Sequence, residues 1–146
     1  MSHRPLKLER FLPFKLSVAS NRVSQRIAAT YEEGFGLSMT AWRVMAVLGE
    51  RPGESARNVA ALTALDKVAV SRAVRILDEL GYLVREASPL DGRQSRLSLS
   101  AAGQKAYREI IPKAIALEDE INARLTRKEK EVLDQVLDRL MTLGAP

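Results

Sequence analysis

Cysteine is absent from the 146 residues, and histidine occurs once, as His3. The first absence excludes disulfides, thiolate chemistry and cysteine-based zinc sites. The second leaves a Ser-His-Asp triad only a histidine at the tip of the chain. With no nucleophile–base set or metal cluster in the sequence, neither an enzyme nor a bound cofactor is expected. Aromatic residues make up only 5% of the chain, so Trp42, Phe11 and Phe14 must serve packing first. No apolar run approaches the ~20 residues needed to span a bilayer. Residues 1–10 contain no apolar stretch of the kind a signal peptide needs, which makes a cytoplasmic location the expectation. Glycine/serine-rich linkers, low-complexity tracts and internal repeats are also missing, so residues 1–146 read as one domain.

What is present is a soluble-protein composition, 46% hydrophobic and 28% charged, with 23 basic and 18 acidic residues for a net charge of +5. A basic balance hints at a polyanionic partner. The excess is +3 over residues 1–50, +2 over 51–99 and zero thereafter, so placement on the fold has to decide.

Apolar residues at three- and four-residue steps (Leu12, Leu16, Ala19, Val23, Ile27, Tyr31) predict a helix over 12–34, with Pro13 in its first turn and Gly34 and Gly36 at its end. A second helix follows Ser38 and stops at Arg51-Pro52-Gly53. Ser55 caps a short helix from Ala56 to about Leu62, Thr63-Ala64-Leu65 turns, and Asp66 caps a longer helix from Lys67 to Leu80. This order is a helix-turn-helix. Residues 82–87 and 96–100 then read as two strands around the turn-forming run 88–95, a β-hairpin wing. Ser100 caps a helix to about Arg124, kinked at Pro112, with Tyr107, Ile111, Ala114, Ile121 and Leu125 on one side. Thr126 and Glu129 form a capping box before a last helix carrying Leu133, Val136, Leu137, Leu140 and Met141 in line. The fold class is mainly α with a small β-hairpin wing.

On the helix 67–80, Val70, Ala73, Val74, Leu77 and Leu80 form the face expected to be buried. Lys67, Ser71, Arg72 and Arg75 lie outward near its N-terminal half, and Asp78 and Glu79 are expected to point away from them. Arginine pairs with guanine edges, and serine and lysine with bases or phosphate, when such a helix enters a major groove. Arg93, braced by Asp91, and Arg96 stand on the wing, where a narrow tip reaches a minor groove.

The run from Leu65 to Arg85 resembles the recognition helix and first wing strand of MarR-family transcription regulators. The run from Asp91 to Gly103 resembles the family's D-x-R wing and its following L-x-L-[ST]-x-x-G. Leu37-Ser38 with Trp42-Arg43-Val44 looks like the start of the family's second helix. Asn58 departs from the acidic residue usual at its position. The resemblance implies an obligate homodimer joined by its first and last helices. It also implies a pseudo-palindromic double-stranded operator, with Arg93 in the minor groove. Residues 37–100 would form the DNA-binding lobe, and 1–36 and 101–146 the dimerisation helices. Regulators of this family are more often repressors, released when a small aromatic acid or its thioester binds between the dimerisation helices and the lobe. Phe11, Phe14, Lys15, Val18, Asn21, Arg22, Trp42, Arg43 and Met45 are the residues that could line such a site, apolar with a few cations. The residues themselves leave open a winged-helix module that binds protein without reading DNA.

Overall fold

The computed structural model describes residues 4–88 and 95–144. A short 3-10 turn (Leu8–Arg10) leads into α1 (Leu12–Phe35), followed by α2 (Met39–Glu50), α3 (Ala56–Thr63) and α4 (Lys67–Glu79). Two strands, β1 (Leu83–Ala87) and β2 (Ser95–Leu99), precede α5 (Ala101–Asn122) and α6 (Arg127–Met141). The caps read from the sequence are the ones formed. The side-chain oxygens of Ser38, Ser55, Asp66 and Ser100 accept hydrogen bonds from the backbone N–H groups of Ala41, Asn58, Ala69 and Gly103, at 2.8–3.1 Å. Each satisfies one of the orphan donors of a helix's first turn, a contribution of about 1 kcal/mol. At α6 the box is complete: Glu129 N–H donates to Thr126 Oγ1 and Thr126 N–H to Glu129 Oε1.

The helix-turn-helix closes through Ala64, which takes a left-handed conformation (φ 54°) without being glycine. Its N–H and that of Leu65 both donate to the Ala60 carbonyl. Three elements differ in detail from expectation. Helix α4 stops at Glu79, so Leu80 is its C-cap and 42% exposed rather than part of the buried face. Gly81 (φ 77°) then redirects the chain, and Tyr82 N–H donates back to the Leu77 carbonyl. Ser100 leaves β2 to cap α5, its hydroxyl donating to the Gly81 carbonyl at 2.6 Å. Helix α5 buries Gly103, Ala106 and Ile110, one step around from the predicted stripe, whose members are half-buried. Pro112 lies inside α5.

The strands pair antiparallel with Leu83 opposite Leu99, Arg85 opposite Leu97 and Glu86 opposite Arg96. A further bridge joins Leu97 to Glu54, in the α2–α3 connection, and ties the base of the hairpin to the helices. The core runs through Leu37, Val44, Met45, Leu48, Val59, Val70, Leu77, Leu97 and Ile110, with Tyr31 as the one fully buried side chain of α1. No polar or charged residue is buried among the described residues. Helix α6 buries none of its own: Leu133, Val136, Leu137 and Met141 all face outward. Leu12, Leu16 and Val23 of α1 are likewise exposed.

Candidate nucleic-acid interface

Four apolar residues of α4 (Val70, Ala73, Val74, Leu77) face the core, which turns the rest of the helix outward. Lys67, Ser71, Arg75 and Asp78 follow one another at steps of four, four and three and so share a flank. That flank borders a groove of about 560 Å³, also lined by Ala56 and Arg57 of α3 and by Arg85 of β1. Arg85 gets there by strand alternation: Leu83 points into the core, so the residue two along faces the same side. Arg57 gets there because it is the second residue of α3, beside the Ser55 cap.

Asp78 therefore does not point away from the basic residues. It lines the same groove and forms an ion pair with Arg85 at 3.3 Å, both side chains about half exposed. Even so, four cations and one carboxylate line this groove, and its floor is the apolar Val70 and Val74. A concave, cationic surface beside an outward-facing helix suits a polyanion.

Of the residues marked from the sequence, Lys67, Ser71 and Arg75 meet in the groove. Arg72 is exposed on α4 outside its lining, and Arg96 is exposed on β2 across from Glu86. Asp91 and Arg93 lie outside the described residues. Two further cations of the groove, Arg57 and Arg85, are not among the residues marked from the sequence. The alternation of β1 was a signal for Arg85; for Arg57 there was only its place one residue past a helix start.

The nine residues considered for an effector are spread over several places. Phe11 lines a hollow of about 480 Å³ with Arg4, Lys7 and Arg10. Asn21 lines a smaller one, about 210 Å³, with Gln25, Tyr31 and Met39. Phe14, Lys15, Val18 and Arg22 are exposed along α1. Trp42 is half-buried and stacks between Tyr31 (centroids 5.8 Å apart) and Tyr107 (6.3 Å). Met45 is fully buried, so its side chain packs the core. Arg43 is half-buried near Tyr31. Burial, reinforced by the charge of Glu32, raises the Tyr31 phenol above its ordinary pKa, and Arg43 partly opposes the shift. Among the described residues no helix is long and apolar enough to cross a membrane.

Helix α3, the Ala64 turn, helix α4 and the two-stranded ribbon together make a winged helix-turn-helix. The MarR family model matches residues 35–94, a span that takes in α2 to β1 and ends just before β2. A solved structure described as a "probable transcriptional regulator from Pseudomonas aeruginosa" is 32% identical, over 92% of this chain and 99% of that one, with a TM-score of 0.75. Sco3205, a MarR-family regulator from Streptomyces coelicolor solved in complex with DNA, shares the fold. Its TM-score is 0.84 at 19% identity, over 99% of this chain and 93% of that one. So does CouR from Rhodococcus jostii RHA1, solved with p-coumaroyl-CoA (TM-score 0.78, 21% identity, 97% of each chain). The chain belongs to the MarR family of transcriptional regulators.

Proposed function

We propose that this protein is a homodimeric repressor that binds a pseudo-palindromic DNA operator and leaves it when a small anionic aromatic molecule binds. The observation that carries the DNA half of this reading is the cationic groove along α4, where Lys67, Ser71 and Arg75 stand with Arg57 and Arg85 over an apolar floor. Arg72 on the outward side of the same helix has the reach and chemistry for a guanine edge, and Arg93 and Arg96 belong to the wing. The DNA-bound relative of the same fold supports the reading.

The dimer half rests on α6 and on the N-terminal half of α1. Their apolar stripes are exposed in the single chain, and a two-fold partner would bury them and set two recognition helices side by side. In this reading residues 37–100 form the DNA-binding lobe, and 1–36 and 101–146 the dimerisation helices. The effector half draws support from the hollow beside Tyr31, from the Trp42 stack behind it and from the aromatic thioester bound by CouR.

The test is a nuclease footprint on DNA flanking the coding region, repeated with p-coumaroyl-CoA and with benzoate. The expected result is protection of two half-sites about one helical turn (about 10 bp) apart, weakened by one of the compounds. Equal affinity for that DNA and for a shuffled duplex would overturn the operator reading. Intact protection at saturating concentrations of both compounds would overturn this choice of effector class.

A further inference from the structure

We propose that Arg57 and Arg85 form a seat for one DNA backbone phosphate beside the recognition helix, and that Asp78 holds Arg85 in the free protein and yields it when the phosphate arrives. The inference rests on the DNA-binding reading above and adds two contacts and an internal competitor to it. The groove along α4 adjoins a second hollow, of about 260 Å³, at the base of the hairpin. Arg57 and Arg85 line both, so the two residues sit on the wall that the hollows share. Ala56 and Val74 also line both, giving the junction an apolar floor on which charge is less screened by water. Ser55 and Ser95 add hydroxyls at the second hollow.

The two arginines differ in what engages them. Among the described residues Arg57 has no carboxylate within 4 Å, and nearby Glu54 uses Oε2 to accept from Asn58 Nδ2 at 3.0 Å. Arg85 has Asp78, at 3.3 Å. Half-exposed ion pairs of this kind contribute little net free energy, so exchanging the carboxylate for a phosphate costs little. A phosphate accepts two parallel N–H bonds from a guanidinium, and with two arginines it is held from two sides. Asp78 meanwhile weakens loose binding of any anion, because a carboxylate already occupies the place.

A backbone seat is blind to sequence, so it can be tested without knowing the operator. The experiment measures fluorescence anisotropy of a labelled 30-bp random-sequence duplex titrated with the full chain from 50 to 300 mM NaCl. Arg57→Ala and Arg85→Ala should each weaken binding several-fold. Each should flatten the plot of log affinity against log salt by up to about 1.8, the value of one phosphate on each protomer of the dimer. The double variant should flatten it by no more than that, since both residues serve one phosphate. Arg85→Lys, which keeps the charge, should retain the slope. Asp78→Asn should tighten binding several-fold in the parent and clearly less in the Arg85→Ala background.

Unchanged slopes in both arginine variants would overturn the seat, and so would a double variant that loses twice the slope lost by either single variant. Equal tightening by Asp78→Asn with and without Arg85 would overturn the exchange. A parent protein that fails to bind the duplex even at 50 mM salt overturns the DNA reading itself, which separates the two failures.

Discussion

Replacing Gly103 with alanine sets two physical arguments against each other. Gly103 is buried at the third position of α5. Helix propensity alone predicts that alanine there stabilises the fold by about 1 kcal/mol. The packing predicts the opposite. A Cβ at this position would collide with the Tyr82 carbonyl oxygen and stand 3.0 Å from its carbonyl carbon and 3.2 Å from its Cα. These are backbone atoms and cannot swing aside. The same oxygen accepts the Ser100 N–H at 2.9 Å, and the Ser100 side chain links the Gly81 carbonyl to the Gly103 N–H. Relief therefore means withdrawing the start of α5 from the base of the wing. Overpacking of this kind costs about 1–3 kcal/mol, and losing the Ser100–Tyr82 bond adds about 1 kcal/mol. After the propensity gain, a net loss of about 1–3 kcal/mol remains. Urea unfolding followed by circular dichroism, at one fixed protein concentration, measures it. Gly34→Ala in α1, where an added Cβ meets nothing within 4 Å, is the control and should be neutral or stabilising. A Gly103→Ala protein as stable as its parent would refute the reasoning.

Aspartate in place of both Leu133 and Leu137 on α6 should leave the helices formed and turn the protein into a monomer by light scattering; a dimer that survives the double substitution rules this helix out as the interface. In the capping box, the hydrogen bonds from the Thr126 backbone and side chain hold the Glu129 carboxyl below its ordinary pKa. A depressed folded-state pKa stabilises above the unfolded-state value and is lost as pH falls through the folded one, so the first turn of α6 should fray on acidification. In Thr126→Ala the Glu129 carboxyl, followed by NMR, should titrate nearer the ordinary carboxylate value, and no change would contradict the box. Gly49→Ala would place a Cβ 2.5 Å from the Tyr107 ring. That ring should swing away from Trp42, the only tryptophan, and change its emission spectrum. An unchanged spectrum would show that the stack tolerates the added methyl.

The helix caps could be read from the sequence because a serine, threonine or aspartate before an apolar-periodic run acts locally, and five such residues sit at the helix starts. The buried side of α5 could not. A stripe found by hydrophobicity favours the large residues Tyr107 and Ile111, whereas the close face of this helix is made by Gly103 and Ala106, chosen for their small size. The bridge between Glu54 and Leu97 leaves no periodic trace, because a single bridging residue has none. In the candidate interface the helical cations were visible from their 3.6-residue repeat. The position of Asp78 is not legible without its partner: on the helix alone it is an acid past the basic end, and only β1, folded back alongside, makes it the counter-charge of Arg85.

The left-handed Ala64 has a mechanical consequence. An L-residue with a side chain costs roughly 1 kcal/mol in that conformation, so the turn does not hold itself. It is held by the helices on either side, through Val59, Val70 and Leu77 in the core. A turn maintained from outside resists bending more than a glycine there would, because the left-handed region open to alanine is far narrower than the one open to glycine. The angle between α3 and α4 is thus a property of the packed lobe. Any signal that moves the recognition helix would therefore have to carry α3 and α4 together as one body.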